Sequence, residues 1–349
     1  MMKTDNQLGF YMLRGFPNPK LIISLVAIVV RLATVAATFN GNAAVASWED
    51  VSIAKNLMEG NGYSIDNTWR SRMLYYFVEE DIQNPLATGH RATASKPPLF
   101  PFLLVLLFAI FGFGNFLSLF VLNSLLAGAT AFLLFSALQR YSRFIASTSA
   151  LAFAVYPPFV FHSATTPEST TFVLFLISLF LYQSAMLVDS PTIASFFRLG
   201  LIGGLMVMTN AVLFPFVLSA IVVLTLAFAQ RAQFLRCALV SFLAVTLFVA
   251  PWMIRNYVLF HVPVMPVRSV LGHTLLKARH TSGDGLWIPS AKILEIEKQG
   301  RTMSEVQEDE LLTAPVVAAI KREPLQFAKE MGKMCIGLFE LEVEFDTTP

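Results

Sequence analysis

From Pro97 to Val188 the chain carries three charged side chains, Arg140, Arg143 and Glu168. A stretch so long and so poor in charge cannot form the surface of a water-soluble domain. It divides instead into apolar runs close to the length a hydrocarbon core requires, about 20 residues per helix. The runs are Leu21–Phe39, Pro98–Phe113, Phe116–Leu138, Phe144–Phe161, Thr170–Val188, Leu199–Thr209, Ala211–Ala229 and Cys237–Ile254. Composition agrees: 55% of the 349 residues are hydrophobic and 14% are charged, against about 25% charged in a soluble domain. With 32 Phe the chain is far from the low hydrophobicity of disordered proteins. A net charge of +2 gives no nucleic-acid footprint, and two cysteines, Cys237 and Cys335, exclude a disulfide scaffold. The pattern predicts an all-α polytopic membrane protein with about seven or eight hydrophobic helices.

Lys3, Arg14 and Lys20 precede the first run and place residues 1–20 in the cytoplasm. The run is too long for a signal peptide and lacks a convincing cleavage pattern, so it reads as an uncleaved helix. Residues 40–96 then form a large first extracytoplasmic loop. Arg140/Arg143 and Arg231/Arg236 both mark inside loops and agree with each other if four helices lie between them. Two full crossings at Pro98–Phe113 and Phe116–Leu138 would, however, return the chain outside at Arg140. Either the first of these does not cross fully, or the charge rule misleads at one loop. The membrane module spans 21–256, and residues 257–349 form an aqueous C-terminal segment with ten Lys/Arg and thirteen Asp/Glu. Within it Met303–Ile320, capped by Ser304, and Pro324–Met334 read as helices.

Polar chemistry collects in the first outer loop. Ser47-Trp48-Glu49-Asp50 opens a helix that runs to Glu59 and stops at Gly60. Ser47 is the expected N-cap, with Asp50 completing a capping box. Val51, Ala54, Leu57 and Met58 share a face suited to the membrane surface. Acids in a first turn complement the helix macrodipole, which by itself accounts for Glu49 and Asp50.

The motifs that follow point further. The chain reads E-D-V-S-I-A-K-N-L-M-E-G-N-G-Y from Glu49, then KPPLFPFLL from Lys96, then IFGFG from Ile110. Ala154-Val155-Tyr156-Pro157 with Glu168 behind it comes next, and then Pro251-Trp252-Met253-Ile254-Arg255-Asn256-Tyr257 with Pro266-Val267-Arg268-Ser269 after it. In this order, over roughly residues 20–330, the chain resembles membrane glycosyltransferases of the GT-C superfamily. The likeness is to the family 39-like group that includes protein O-mannosyltransferases and the aminoarabinose transferase of lipid A. Relatives commonly continue with further helices beyond the stretch corresponding to the tail, where Met331–Leu341 is too short to span.

The resemblance implies a GT-C-type bundle and an inverting transfer of a sugar from a polyprenyl-phosphate carrier to a lipid, glycan or protein acceptor. The site would lie at the outer face of a bacterial inner membrane. Such a reaction requires a base for the acceptor's proton and cations for the departing phosphate. The resemblance implies Glu49 as the base, because its spacing to Ala54 and Gly60 matches the subgroup that has Glu at this site, with Asp50 as the alternative. Lys96 and Arg255 are the expected phosphate partners, although basic residues at helix mouths also anchor to headgroups. Arg268, Glu168 and Tyr156 are further candidates for substrate binding. An acid near membrane depth is a functional candidate by default, while an interfacial helix start beside Thr165 and Thr166 explains Glu168 nearly as well. His90, His273 and His280 lack metal-ligand spacing, so a divalent metal is an option the sequence leaves open. Gly203-Gly204 and the break at Asn210-Ala211 are compatible with a transporter or flippase, and a non-catalytic subunit with the same fold is a third reading.

Overall fold

The computed structural model describes residues 18–39, 48–66, 89–228, 233–261, 305–325, 327–329 and 332. Its elements are α1 (Pro19–Thr38), α2 (Glu49–Met58), β1 (Ser64–Asp66), β2 (His90–Ala92), α3 (Leu99–Phe111), α4 (Phe116–Leu138), α5 (Arg143–Val155) and α6 (Pro157–Thr165). They continue as α7 (Thr170–Leu187), α8 (Ile193–Thr209), a 3-10 turn (Ala211–Leu213), α9 (Phe214–Phe228), α10 (Phe234–Phe260) and α11 (Glu305–Arg322). The chain is an all-α polytopic membrane protein, and its short β1–β2 pair is antiparallel with Ile65 opposite Arg91.

Among the described residues, α1, α4, α7, the Ala211–Phe228 stretch and α10 are long and apolar enough to cross a membrane. The pair α5–α6 makes a sixth span if its two halves, bent by 46°, count as one. The remaining two runs of the sequence form shorter helices. At about 1.5 Å per residue α3 reaches roughly 20 Å, short of a ~30 Å hydrocarbon core.

The α5–α6 break has a direct chemical cause. Pro157 and Pro158 lack N–H groups, so the carbonyls four residues back, on Phe153 and Ala154, lose their helical donors. Arg31, buried in α1, replaces them: Nη1 donates to Ala154 O at 2.9 Å and Nη2 to Phe153 O at 3.4 Å. The guanidinium also lies 5.1 Å from the Phe153 ring centroid. A charge inside an apolar helix thus satisfies the backbone of a helix more than a hundred residues away in sequence.

Glycines set the tightest helix contact. A Cβ on Gly200 would sit 2.3 Å from Ser241 O, and one on Gly204 would meet Phe248 at 2.9 Å, so α8 and α10 approach almost backbone to backbone. Ser241 Oγ donates across the same contact to Phe196 O at 3.0 Å. Small residues and a hydroxyl at the seam are how apolar helices associate in lipid. This accounts for Gly203-Gly204 as packing: a Cβ on Gly203 would lie 2.6 Å from Val217.

The helix α2 departs from expectation. Trp48, without a side-chain cap bond, occupies its N-cap position, and Ser47 lies outside the described residues. Val51 and Ala54 pack with Phe100, Leu104 and Phe108 of α3, while Ile53 packs with Tyr63 and Ile65. Of the apolar face that suggested a helix resting on lipid, Val51 and Ala54 are covered by protein, Leu57 is half-buried and Met58 is exposed.

Candidate active site

The site forms where three pieces of chain meet the first turn of α2: the hairpin β1–β2, the segment Thr93–Lys96 that leads into α3, and the end of α10. Arg255 of α10 ties them together. Its Nη1 donates to Thr93 O at 2.7 Å and to Asn256 Oδ1 at 2.8 Å, and its Nη2 donates to Tyr63 O at 3.0 Å. The guanidinium stacks 4.7 Å from the Trp252 ring centroid and 5.3 Å from that of Tyr63. Tyr63 in turn donates its hydroxyl to Lys96 O at 2.9 Å. A planar fork reaches two carbonyls where a point charge would reach one. Asn56 of α2 completes the frame, donating to Ser64 O at 3.0 Å.

Held in this way, Lys96 faces both acids of α2. Its Nζ lies 3.8 Å from Glu49 Oε2 and 3.6 Å from Asp50 Oδ2. The Asp50 carboxyl is buried, and desolvation pushes its pKa up to about 6. Lys96 opposes that rise, while the negative charges of Glu49 and Glu168 add to it. Glu49 is somewhat more open, with 13% of its side chain exposed, and accepts a hydrogen bond from Ser95 Oγ. Glu168, just before α7, pairs with His162 of α6 at 3.2 Å. Its pKa is lowered first by that hydrogen bond, with help from the charge of Lys96.

The sequence candidates therefore separate. Glu49, Asp50, Lys96 and Glu168 belong to one electrostatic cluster, and Arg255 frames it through Tyr63 and Thr93. Tyr156 stands at the α5–α6 break with its ring 5.1 Å from Phe159, next to the carbonyls that Arg31 holds. Arg268, His273 and His280 lie outside the described residues. His90 begins β2, and no group of three or more His, Cys, Asp or Glu among the described residues is arranged to hold a metal.

Sequence reasoning missed two parts of this site. One is the hydroxyl pair Thr93 and Ser95, which directly precedes the KPPLF motif and was readable as polar residues beside it. The other is Glu305, the first residue of α11, whose carboxyl is buried against Thr93: Oε2 lies 2.6 Å from Thr93 Oγ1, and Ala94 N–H donates to Oε1 at 3.3 Å. Burial pushes its pKa up to about 7. Nothing in a solvated, acid-rich tail marks one glutamate as buried.

Residues 95–254 match the family model described as dolichyl-phosphate-mannose-protein mannosyltransferase. The matched stretch begins at Ser95–Lys96, includes His162 and Glu168, and ends at Ile254, one residue before Arg255. No curated protein and no solved structure matches the chain.

Proposed function

We propose, from the match of residues 95–254 to the model of the dolichyl-phosphate-mannose-protein mannosyltransferase family, that the chain is a membrane glycosyltransferase. It moves a sugar from a polyprenyl-phosphate carrier to an acceptor hydroxyl or amine at the outer face of a bacterial inner membrane. The observation that carries the reading is the position of Lys96, at the start of the matched stretch, between two carboxylates of the preceding loop.

The chemistry follows from that arrangement. Glu49 takes the proton of the acceptor, whose oxygen or nitrogen attacks the anomeric carbon. The bond from that carbon to the phosphate oxygen breaks on the opposite side, which inverts the configuration, and its electron pair leaves with the polyprenyl phosphate. Lys96 offsets the negative charge that develops there. Asp50 is the alternative base, since burial places it near the range in which a general base works at neutral pH. Arg255 was expected to touch phosphate directly; with Nη donors on Tyr63 and Thr93 carbonyls it acts by holding the strands, and the phosphate contact falls chiefly to Lys96. Glu168, braced by His162, orients the acceptor beside Asp50.

Transport would require an ionisable group free to meet cargo within the membrane. Arg31, the charge inside α1, is engaged with the carbonyls of the broken helix. Mass spectrometry of cell-envelope glycans with and without the gene tests the proposal. A sugar missing from the deletion strain is expected; an unchanged glycan profile with an altered small-molecule gradient overturns it in favour of transport.

A further inference from the structure

Between Glu49 on α2 and Glu305 on α11 runs an unbroken line of buried hydroxyls. Ser95 Oγ donates to Glu49 Oε1, Ser95 Oγ and Thr93 Oγ1 are 2.9 Å apart, and Thr93 Oγ1 is 2.6 Å from Glu305 Oε2. Thr93 also accepts from Ser95 N–H at 3.0 Å. Thr93, Ser95 and Glu305 are all buried, so bulk water does not supply partners.

Proton counting then decides the state of the line. Three oxygen–oxygen contacts need three hydrogens, and the two hydroxyls provide two. The third has to come from a carboxyl. With both glutamates ionised, one contact would bring two bare lone pairs together; with both protonated, one hydrogen would have no acceptor within the line. Two orders satisfy the count, from Glu305 through Thr93 and Ser95 to Glu49 or the reverse, and Lys96 Nζ, 3.8 Å from Glu49, favours the order that ends on Glu49, in which Thr93 donates to Ser95 and Ser95 to Glu49. Thr93 Oγ1 is then left as an acceptor on the Glu305 side.

We propose that Glu305 and Glu49 share a single proton through Thr93 and Ser95, and that it rests on Glu305. Glu305 thereby fixes the direction of every hydrogen bond in the line and keeps Glu49 ionised, with Ser95 orienting its carboxylate. Glu305 is a positioning residue that acts from a separate part of the chain. The ordering rests on the reading of Glu49 as base only for its consequence in catalysis; the shared proton stands on the hydrogen-bond geometry and on the burial of Glu305. The charged and titratable groups around Glu305 are Arg91, Arg255, Tyr63 and Glu49. Those around Glu49 are Lys96, Asp50 and Tyr63. Arg91 and the first turn of α11 favour an ionised Glu305. Burial opposes them and holds the carboxyl protonated up to about pH 7.

Infrared difference spectra of the full-length purified protein, recorded across a pH titration, read the proton directly through the C=O stretch of a protonated carboxyl. A band that titrates near pH 7 is expected, absent in Glu305→Gln and present in Glu49→Gln. A band that persists in Glu305→Gln, or vanishes only in Glu49→Gln, overturns the proposal. Transfer kinetics supply the second readout, with release of polyprenyl phosphate from polyprenyl-phosphate mannose followed in membranes. Thr93→Val keeps the side chain's shape, breaks the line and lowers kcat about tenfold. Glu305→Leu does the same, and Glu305→Gln, whose amide N–H can donate to Thr93 as the acid does, recovers most of the loss. Equal losses in the Gln and Leu variants would mean that an ionised Glu305 is what matters, and would also overturn it. If Glu49→Gln keeps transferring sugar while the band follows Glu305, the base assignment falls and the shared proton survives.

Discussion

At the scale of single residues, the site is a contest between burial and charge, and Lys96 is its pivot. Burial raises the Asp50 pKa to about 6 and Lys96 restrains that rise. Removing the cation while keeping the stem, as Lys96→Met, leaves Asp50 with burial and two like charges. Its pKa moves further up, so the acid limb of the pH–rate profile shifts to higher pH than in the parent. A profile whose acid limb stays in place would show that Asp50 does not control it. Much of this cluster was legible in the sequence, because Glu49, Asp50 and Lys96 sit in motifs whose residue types suit proton and phosphate chemistry. Thr93 and Ser95 were visible only as polar residues beside such a motif, and Glu305 was not visible, since a glutamate in an acid-rich tail carries no periodic or spacing signal.

At the scale of elements, backbone groups freed by one piece of chain are satisfied by another. Pro157-Pro158 was visible as a helix breaker, yet the partner of the released carbonyls was not, because α1 and α5 are joined by contacts that no local pattern encodes. Arg31→Met removes the donors of the Phe153 and Ala154 carbonyls and is expected to destabilise the purified protein by about 3 kcal/mol. Arg31→Lys recovers only part, since one ammonium lacks the planar fork. Denaturation in detergent measures both, and an Arg31→Met variant as stable as the parent would refute the clamp. The α8–α10 seam makes a second demand. Gly200→Ala places a methyl group 2.3 Å from Ser241 O, forces the helices apart and costs about 1–3 kcal/mol.

At the scale of the whole molecule, the membrane bundle was readable from hydropathy because every spanning helix must satisfy its own backbone and present apolar side chains. The depth of each segment was not. Among the expected runs, α3 with 13 residues is well short of spanning length and α8 with 17 is at its lower edge, and the sequence shows only that they are apolar. The joining of α11 to the outer loop has a thermodynamic signature. Asp50 and Glu305 have folded-state pKa values of about 6 and about 7, above their ordinary 3.8 and 4.5. The folded protein therefore binds more protons than the unfolded chain through this window. Their contribution is complete below pH 3.8 and is lost as pH rises to 7. Stability attributable to these two groups falls between pH 4 and pH 7, and Glu305→Gln flattens the upper part of that fall. Thermal unfolding of parent and variant across pH measures it; identical slopes in the two would remove Glu305 from the account.

The decisive measurement is the rate at which membranes holding the Glu49→Gln protein release polyprenyl phosphate from a panel of polyprenyl-phosphate sugars, compared with the parent and with Asp50→Asn. If Glu49 accepts the acceptor's proton, its amide variant inserts normally and loses about a hundredfold or more in rate. The Asp50 variant then loses less. Transfer at the parental rate by Glu49→Gln would contradict the mechanism, and a parental rate in both variants would leave neither carboxylate as the base.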